Sequence, residues 1–257
     1  MTATTTPGRV WITGGGTGIG RALALRMARA GWQVAISGRR EAPLRETQAM
    51  AQGAAGRIEC FPCDVTHHAG VLKTVEQIEA ALGELDMAVL NAGTYAGERE
   101  TRFSVELFRE ILDTNVMGVV HGIDAVLPGF YARRKGQIVI VASVAGYSGL
   151  PMAAAYGASK AALINMAESL NLDLAPKGIK VTLVCPGFVK TPLTDQNKFP
   201  MPFLMDADAA AEKMYAGILS GAFEVTFPKA LALPLKAMRS LPYALYFPLA
   251  RKATQKK

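Results

Sequence analysis

The stretch Thr13-Gly-Gly-Gly-Thr-Gly-Ile-Gly20 joins a strand-like run, Arg9–Thr13, to a helix-like run, Arg21–Ala30. Glycines at a strand-to-helix turn let the backbone approach a pyrophosphate, whose negative charge meets the free N–H groups and the positive end of the helix. A glycine cluster by itself is more often a plain turn, but its position after the first strand favours dinucleotide binding. The predicted contacts are Gly14, Thr17, Gly18, Ile19 and Gly20.

Strand-like and helix-like segments alternate outward from this turn, and helical periodicity fills the gaps between the strands. The strand-like runs are Arg9–Thr13, Gln33–Ser37, Arg57–Phe61, Met87–Leu90, Gln137–Ala142, Lys180–Cys185 and Phe223–Phe227. This order predicts an α/β fold: a Rossmann-type, doubly wound, mostly parallel seven-stranded sheet with helices on both faces. We expect two long helices, at 104–131 and 155–175, and a long proline-rich loop at 186–202 of the kind that carries function.

Composition is consistent with one domain. The chain has 257 residues, half of them apolar, which is enough to bury a full core without disulfides or metal. The three cysteines are an odd number, the N-terminus lacks the pattern of a signal peptide, and no apolar run reaches the roughly 18 residues that cross a bilayer. We therefore expect a reducing, cytoplasmic setting. Cys60 and Cys63 end a strand-like run and not a helix N-terminus, which favours inert thiols over a redox pair.

The positive charge is concentrated at the C-terminus. Of the formal charge of +7, the whole excess falls after residue 228, where seven Lys or Arg and no Asp or Glu occur, leaving 21 basic and 21 acidic residues in the body. This asymmetry argues against a nucleic-acid-binding face. We divide the chain into a dinucleotide-binding and catalytic domain, 1–228, and a basic, apolar extension, 229–257.

The extension has two interpretations. Its mixture of leucines, aromatic residues and basic residues can lie on the anionic inner face of a membrane as a peripheral contact. It can equally pack as an arm on its own body or on a partner subunit, because Pro234, Pro242 and Pro248 interrupt any long amphipathic helix. The sequence leaves both open.

Coenzyme preference is indicated at the end of the second strand, where an Asp or Glu would accept the ribose hydroxyls of NAD. Here the chain reads Ser37-Gly38-Arg39-Arg40. A 2′-phosphate needs cationic donors at that place, so NADP(H) is preferred, with NAD(H) as the alternative and solvated loop charges as the plain interpretation.

Two further segments follow strands on the same predicted edge. Asp64 could accept a hydrogen bond from the adenine amino group while Val65 packs on the ring; alternatively, Asp64 or Thr66 caps the helix over 69–82. Asn91-Ala92-Gly93 ends the fourth strand, where small residues would let the sheet edge lie under a cofactor, although such a sequence can also be only a turn.

A group of polar residues points to acid/base chemistry. Tyr156 and Lys160 are four apart at the start of a predicted helix and project from one face, where a nearby ammonium and a nicotinamide ring would lower the phenol pKa towards neutrality. Ser143 lies thirteen residues earlier, at the carboxyl end of the fifth strand, where its hydroxyl could hold a substrate oxygen. Asn115 is polar within a long apolar helix; its plain role is a local helix-distorting hydrogen bond.

Together these motifs resemble, in order and spacing, those of the short-chain dehydrogenase/reductase family over roughly residues 8–191. The matching residues are Thr13-Gly14-x-x-x-Gly18-Ile19-Gly20, Asn91-Ala92-Gly93, Asn115, Ser143, Tyr156-x-x-x-Lys160 and Pro186-Gly187. The resemblance implies a Ser143–Tyr156–Lys160 catalytic group, Asn115 holding a water that links Lys160 to solvent, Lys160 on the nicotinamide ribose, and nicotinamide contacts from Pro186, Gly187, Val189 and Thr191. It also implies a homodimer or homotetramer formed through the two long helices.

Two positions depart from the family pattern. Leu90 stands where many members have a second Asn before Asn91, which should change packing and not chemistry. The glycine turn also lacks the basic residue that some NADP-using members place there, so the preference for NADP(H) rests on Arg39 and Arg40.

The expected function is an NADP(H)-dependent oxidoreductase that interconverts a carbonyl and a secondary alcohol. Apolar residues within Leu193–Met205 favour an apolar, lipid or acyl substrate. The alternative is an NADP(H)-binding sensor or a membrane-attached interaction protein on the same fold with little turnover. No metal is expected, because His67, His68 and His121 have no ligand spacing typical of a metal site.

Overall fold

The computed structural model describes residues 7–95, 103–197 and 199–254. Its strands are β1 (Arg9–Thr13), β2 (Gln33–Ser37), β3 (Arg57–Cys60), β4 (Met87–Leu90), β5 (Gly136–Val141), β6 (Ile179–Pro186) and β7 (Glu224–Phe227). They form one sheet in the order β3-β2-β1-β4-β5-β6-β7, and every pairing is parallel. The predicted seven-stranded, doubly wound sheet is confirmed.

Helices cover both faces of the sheet. The helices of the described residues are α1 (Gly18–Arg29), α2 (Glu41–Met50), α3 (His68–Leu82), α4 (Val105–Leu112), α5 (Gly118–Arg133), α6 (Ala154–Leu174), α7 (Ala207–Leu219), α8 (Lys229–Met238) and α9 (Tyr243–Thr254). One apolar core joins the sheet to α3, α5 and α6, and the other joins it to α1 and α7. The buried strands read as nearly continuous apolar runs because both of their faces are covered.

The strand order changes direction between β1 and β4, because β2 and β3 lie on one side of β1 and β4 to β7 on the other. In open parallel sheets a crevice forms at this point, beyond the carboxyl ends of the strands, and ligands bind there. The glycine turn follows β1 and therefore lies at the mouth of this crevice. The fold thus places the first predicted motif where the topology provides a binding site.

The prediction of one uninterrupted helix over 104–131 is wrong in detail. Between α4 and α5 the backbone forms a π-helical segment, Asp113–Met117, with Asn115 at its centre. The Asn115 side chain is buried and bonds to groups outside its own helix, and such local insertions commonly mark functional sites. The second long helix is present as α6.

The proline-rich region after β6 is a loop, closed by a short parallel bridge between Val189 and Met205. Lys190 N donates to Met205 O at 2.8 Å, and Met205 N donates to Phe188 O at 3.0 Å. These bonds fix both ends of the loop against each other. We call residues 187–205, apart from the undescribed position 198, the lid.

The extension forms two short helices, α8 and α9, separated by Arg239–Pro242. Pro234 and Pro248 lie inside these helices. Ala232 is almost completely buried in the α3–α5–α6 core, so α8 packs on the body. Within the described ranges, no helix has the length and apolar character required to cross a membrane.

Candidate active site

The glycine turn has a conformation that larger residues cannot adopt. Gly14 has φ +70°, and a Cβ placed on Gly20 would lie 2.2 Å from the Gly14 carbonyl oxygen. The turn is held from the outside by two residues that the sequence did not single out: Arg21 Nε donates to Gly16 O at 2.9 Å, and Thr47 Oγ1 donates to Gly15 O at 3.2 Å. Backbone can therefore approach a ligand closely here, at the start of α1.

A cleft opens beside this turn and collects many of the predicted nucleotide contacts. Its lining includes Gly14, Thr17, Arg39, Arg40, Asp64, Val65, Ala92 and Gly93. Residues that the sequence did not mark also line it: Gly16, Gly38, Pro43, Leu44, Cys63 and Thr114. Gly18, Ile19 and Gly20 are not among the lining residues, and Ile19 packs on the α1–α7 core. The cleft thus gathers segments that follow β1, β2, β3 and β4.

Charge in this cleft comes from Arg39, Arg40 and Asp64. Both arginines are exposed. Burial acts to raise the pKa of Asp64, but hydrogen bonds from Thr66 N at 3.0 Å and Thr66 Oγ1 at 2.8 Å, together with the positive charge of Arg39, give a net lowering. Asp64 is therefore an ionised acceptor next to a guanidinium.

Neither Asp64 nor Thr66 caps the following helix. The cap of α3 is His67, whose Nδ1 accepts from Gly70 N at 3.2 Å. The capping interpretation of Asp64 is wrong, because its Oδ1 is already used in a tight local turn with Thr66. An Asp or Thr before a helix is a common cap, and no sequence pattern pointed to the histidine.

Asn91, Ala92 and Gly93 join the glycine turn to the chemical centre. The Asn91 amide donates to Thr13 O at 3.0 Å, and Ala92 N donates to Thr13 Oγ1 at 3.0 Å. A Cβ on Gly93 would lie 3.3 Å from Asn115 Oδ1 and 3.6 Å from Lys160 Nζ. Gly93 therefore lies where the nucleotide cleft meets the predicted acid/base group.

Lys160 is the buried cation of the site, with 4% of its surface exposed. Its Nζ donates to Val141 O at 3.0 Å and lies 5.6 Å from the centre of the Tyr156 ring. Burial lowers the pKa of Lys160 to about 8, although the charge of the nearby Cys185 thiolate would act in the opposite direction. Burial also raises the pKa of Cys185 to about 12, so that thiol is neutral and gives Lys160 little compensation at neutral pH.

Tyr156 lies in the first turn of α6 and is half-buried. Its ring meets Tyr95 edge to face, with 5.1 Å between ring centres. The contact with Tyr95 was not predicted, since a tyrosine after an Asn-x-Gly turn carries no spacing signal. Tyr95 and Lys160 together restrict where the Tyr156 ring can point.

Ser143 follows β5 and is buried. Its Oγ accepts from Ala145 N at 3.1 Å and donates to Pro186 O at a long 3.4 Å. Because that donated bond is weak, the hydroxyl can turn to a better acceptor at little cost. Ser143 also lies two residues after Val141, the partner of Lys160.

Asn115 is completely buried. Its Oδ1 accepts from Thr94 N at 2.7 Å, and its Nδ2 donates to Thr94 O and to Ser159 Oγ, each at 3.0 Å. Ser159 Oγ in turn donates to the Tyr156 carbonyl at 2.7 Å. Both amide hydrogens are used, which leaves this side chain one lone pair for a water. The amide locks the π-helical segment to the start of α6.

The end of β6 and the residues that follow it contact both the glycine turn and Ser143. Thr191 Cγ2 would lie 3.1 Å from a Cβ on Gly18, while Pro186 accepts from Ser143. Gly187 N donates to Phe227 O at 2.7 Å, and Val189 is buried in the α1–α7 core. The predicted residues after β6 are thus divided between the glycine turn, the serine and the core.

A polar group that sequence reasoning missed lies behind Ser143. The buried Tyr147 hydroxyl donates to Glu224 Oε1 at 2.8 Å, and Lys236 of α8 bonds to the other oxygen of that carboxylate. Desolvation strongly raises the pKa of Tyr147, so the hydroxyl stays protonated. Tyr147 and Glu224 are 77 positions apart, so no local pattern reveals the pair. We call Tyr147, Glu224 and Lys236 the C-terminal clasp.

All three cysteines are free thiols. Burial raises the pKa of Cys60 and of Cys63, as expected of unreactive thiols. Cys63 lines the nucleotide cleft, a placement that the sequence did not suggest. Within the described ranges, no group of His, Cys, Asp and Glu is arranged to hold a metal.

Comparison with known proteins agrees with this geometry. A family model described as short chain dehydrogenase matches residues 9–200. An uncharacterized oxidoreductase of Myxococcus xanthus is 43% identical over 241 residues, covering 94% of this chain and 95% of that protein. Human epidermal retinol dehydrogenase 2 is 32% identical over 240 residues, covering 91% of this chain and 78% of that protein. The chain therefore belongs to the short-chain dehydrogenase/reductase family.

Solved structures give the same result. A short-chain dehydrogenase/reductase of Burkholderia phymatum in complex with NAD aligns with a TM-score of 0.81 and 25% identity, covering 90% of this chain and 92% of that one. A variant actinorhodin polyketide ketoreductase with NADPH aligns with a TM-score of 0.80 and 27% identity, covering 88% and 97%. The protein is an NAD(P)-dependent oxidoreductase of this family. Its glycine turn, where a Cβ has no room, and the adjoining cleft fit a dinucleotide.

Proposed function

We propose that this oxidoreductase uses NADP(H) to interconvert a carbonyl and a secondary alcohol on an apolar substrate, with Tyr156 exchanging the proton. The observation that carries the proposal is the buried ammonium of Lys160, held by Val141 O at 3.0 Å and 5.6 Å from the centre of the Tyr156 ring. A positive charge beside a phenol favours its ionised form, which is what a proton carrier near neutral pH requires.

Each side chain then has a defined task. Tyr156 Oη gives a proton to the substrate oxygen in reduction and takes it back in oxidation. Ser143 Oγ turns from Pro186 O towards that oxygen and orients it. Lys160 binds the nicotinamide ribose and keeps the site positive, and Asn115 holds α6 in place through Ser159. The nicotinamide, when bound, supplies or accepts the hydride.

NADP(H) is favoured by the two exposed arginines at the cleft. Arg39 and Arg40 follow β2, at the place where a ribose 2′-substituent would lie in a dinucleotide that spans this crevice. Asp64 faces Arg39 and suits the adenine amino group as an acceptor. The proposed coenzyme contacts also include Val65, Asn91, Ala92 and Gly93, with Pro186, Gly187, Val189 and Thr191 at the nicotinamide end.

An apolar substrate is favoured by the lid. Phe188 and Phe199 meet edge to face at 6.0 Å, and Phe203 and Leu204 are exposed. The retinol dehydrogenase relative is named for an apolar alcohol, which supports the same substrate class. We also propose a homodimer or homotetramer through α4–α5 and α6, where Val105, Leu112, Met117 and Leu172 expose apolar side chains.

The test is turnover by the full-length protein and by Tyr156→Phe, following NADPH oxidation over ketones of graded chain length. We expect Tyr156→Phe to lose about 10²–10⁴-fold in kcat while binding NADPH normally. Tyr131→Phe, which removes an exposed hydroxyl on α5, is the matched control and should retain full activity. Parental turnover by Tyr156→Phe would contradict the catalytic role of Tyr156. Equal turnover of short-chain and long-chain ketones would contradict the apolar substrate class.

A further inference from the structure

The C-terminal extension is firmly attached along one side. Ala232 lies in the core, and Leu231 of α8 packs next to Gly187, at the start of the lid. Tyr246 of α9 is buried, and its hydroxyl donates to the carbonyl of Gly149. Gly149 belongs to the loop between Ser143 and Tyr156. The extension is therefore a rigid surface of the body and contacts both loops that flank the catalytic residues.

Its outer side is apolar. Five large apolar residues of α8 and α9 have between 49 and 76% of their surface exposed: Leu233, Tyr243, Leu245, Phe247 and Leu249. On α9 they lie on both sides of the buried Tyr246, and Tyr243 stacks on Phe247 with 5.6 Å between ring centres. The exposed surface of the first two turns of α9 is thus almost entirely apolar. A helix that is apolar on all sides is normally buried, so we expect another molecule to cover this surface.

The positive charge of the extension favours an anionic lipid surface over a second copy of the chain as the occupant. From residue 229 onward the chain carries seven Lys or Arg and no Asp or Glu, and Lys229, Arg239 and Lys252 are exposed on α8, α9 and their connection. A second copy packed symmetrically on this surface would bring the same basic side chains against each other. An anionic lipid surface instead accepts apolar side chains among its acyl chains and basic side chains at its headgroups.

We propose that the C-terminal extension docks the protein on an anionic lipid bilayer, with α9 lying in the headgroup region. The helices α8 and α9 have 10 and 12 residues, so each is far shorter than the roughly 20 residues that cross a bilayer, and they lie along the surface. The bond from Tyr246 to Gly149 places the docked surface beside the catalytic loop. If the substrate is apolar, as the proposed function has it, it reaches the site directly from the bilayer.

Flotation of the full-length protein with vesicles tests the docking. Vesicles of phosphatidylcholine containing phosphatidylglycerol should carry most of the protein upward, and vesicles of phosphatidylcholine alone, or added salt, should carry at least several-fold less. The double variant Leu245→Glu/Phe247→Glu should reduce flotation on the anionic vesicles by about tenfold or more.

The matched control is Met50→Glu, which places the same charge on an exposed apolar position of α2. That helix follows β2 and contacts β3, at the opposite edge of the sheet from β7 and α8. Met50→Glu should float like the parent, and both variants should retain parental NADPH binding, which confirms that they are folded. Tyr156→Phe should also float normally, so that docking is measured independently of turnover.

Three results would overturn the docking proposal. One is undiminished flotation of the double variant. Another is equal flotation on vesicles with and without phosphatidylglycerol, which would remove the role of the basic residues. The third is a fall in the molar mass of the double variant, measured by light scattering, that accompanies its loss of flotation; a second copy of the chain would then be the occupant.

Discussion

The nucleotide side and the C-terminal side of this protein are built by different means. On the nucleotide side, the turn after β1 depends on backbone geometry, and its parts lie within a few residues of each other, from Gly14 to Gly20. On the C-terminal side, Tyr147, Glu224 and Lys236 hold the catalytic loop to α8 through side chains far apart in sequence. The first is constrained by sterics and tolerates almost no substitution. The second depends on single side-chain contacts between distant segments, each of which a substitution can remove separately.

The sharpest test of the nucleotide side is Gly20→Ala. The added methyl group would lie 2.2 Å from the Gly14 carbonyl, so the turn must move away from its place at the cleft. We expect NADPH affinity to fall by more than about 100-fold and the free energy of unfolding by about 3 kcal/mol or more. Fluorescence titration and urea unfolding measure the two effects.

Gly53→Ala is the control for that experiment. Gly53 has φ +80° with open space around it, so alanine there costs only the backbone strain of about 1–2 kcal/mol. NADPH affinity should not change. Equal losses of affinity in the two variants would show that the turn is sensitive to stability in general and not to the space at Gly20.

The difference between the two sides also explains what could be predicted from sequence. The sheet and the glycine turn could be predicted because each is marked by a local pattern. Fixed spacing is likewise what marks Asn115, Ser143, Tyr156 and Lys160 as the candidate catalytic group. The cap at His67 was missed because a more common capping residue stood nearby, at Asp64. The π-helical segment depends on bonds from Asn115 to Thr94 and Ser159, which exist only after α6 has packed.

The C-terminal clasp could not be predicted at all. Glu224 opens a strand, Lys236 looks like one of several basic residues of the extension, and Tyr147 follows no motif. Their association depends on β7 lying next to β6 and on α8 folding back over it. The sequence left the extension with two interpretations for the same reason: α8 packs on the body while the outer side of α9 stays exposed.

Lys160 lies where the two sides meet, and its substitution separates stability from activity. Unfolded lysine titrates near 10.5, whereas folded Lys160 loses its proton near pH 8. Between these values the unfolded chain binds more protons, so stability rises with pH across that window; below it, the buried charge costs on the order of 3 kcal/mol. Lys160→Met should therefore raise the free energy of unfolding at neutral pH by about 2–3 kcal/mol while abolishing turnover.

Urea unfolding of the nucleotide-free protein at several pH values between neutrality and the lysine range measures this effect. Below pH 8 the stability difference between the parent and Lys160→Met should be constant. Between pH 8 and 10.5 the parent should gain stability, so that the difference shrinks towards pH 10.5. Lys180→Met, at an exposed position of β6, should leave the parental pH profile unchanged. A constant difference across the window would mean that Lys160 is not a buried charge at neutral pH.

The next smaller effect is expected on coenzyme preference, and it is confined to the nucleotide side. The double variant Arg39→Ala/Arg40→Ala should lose about 100-fold in kcat/KM with NADPH and change little with NADH, because each charge-assisted contact to a phosphate contributes about 1.5 kcal/mol. Arg45→Ala, an exposed arginine of α2 paired with Glu41 at 2.9 Å, is the control. Parallel losses with both coenzymes would argue against recognition of a 2′-phosphate.

The smallest effect is expected from Tyr147→Phe, on the C-terminal side. Removing the hydroxyl takes one buried hydrogen bond from Glu224 but leaves the bond from Lys236, so the loss of stability should be about 1–2 kcal/mol. Substrate KM should rise a few-fold, because Tyr147 supports the loop after Ser143, while NADPH affinity stays at the parental value. If Tyr147 and Lys236 act as one unit, the double variant Tyr147→Phe/Lys236→Met will differ from the sum of the single changes. Additive effects would mean that α8 and the catalytic loop are anchored separately, and the C-terminal side would then not be held by one linked group of side chains.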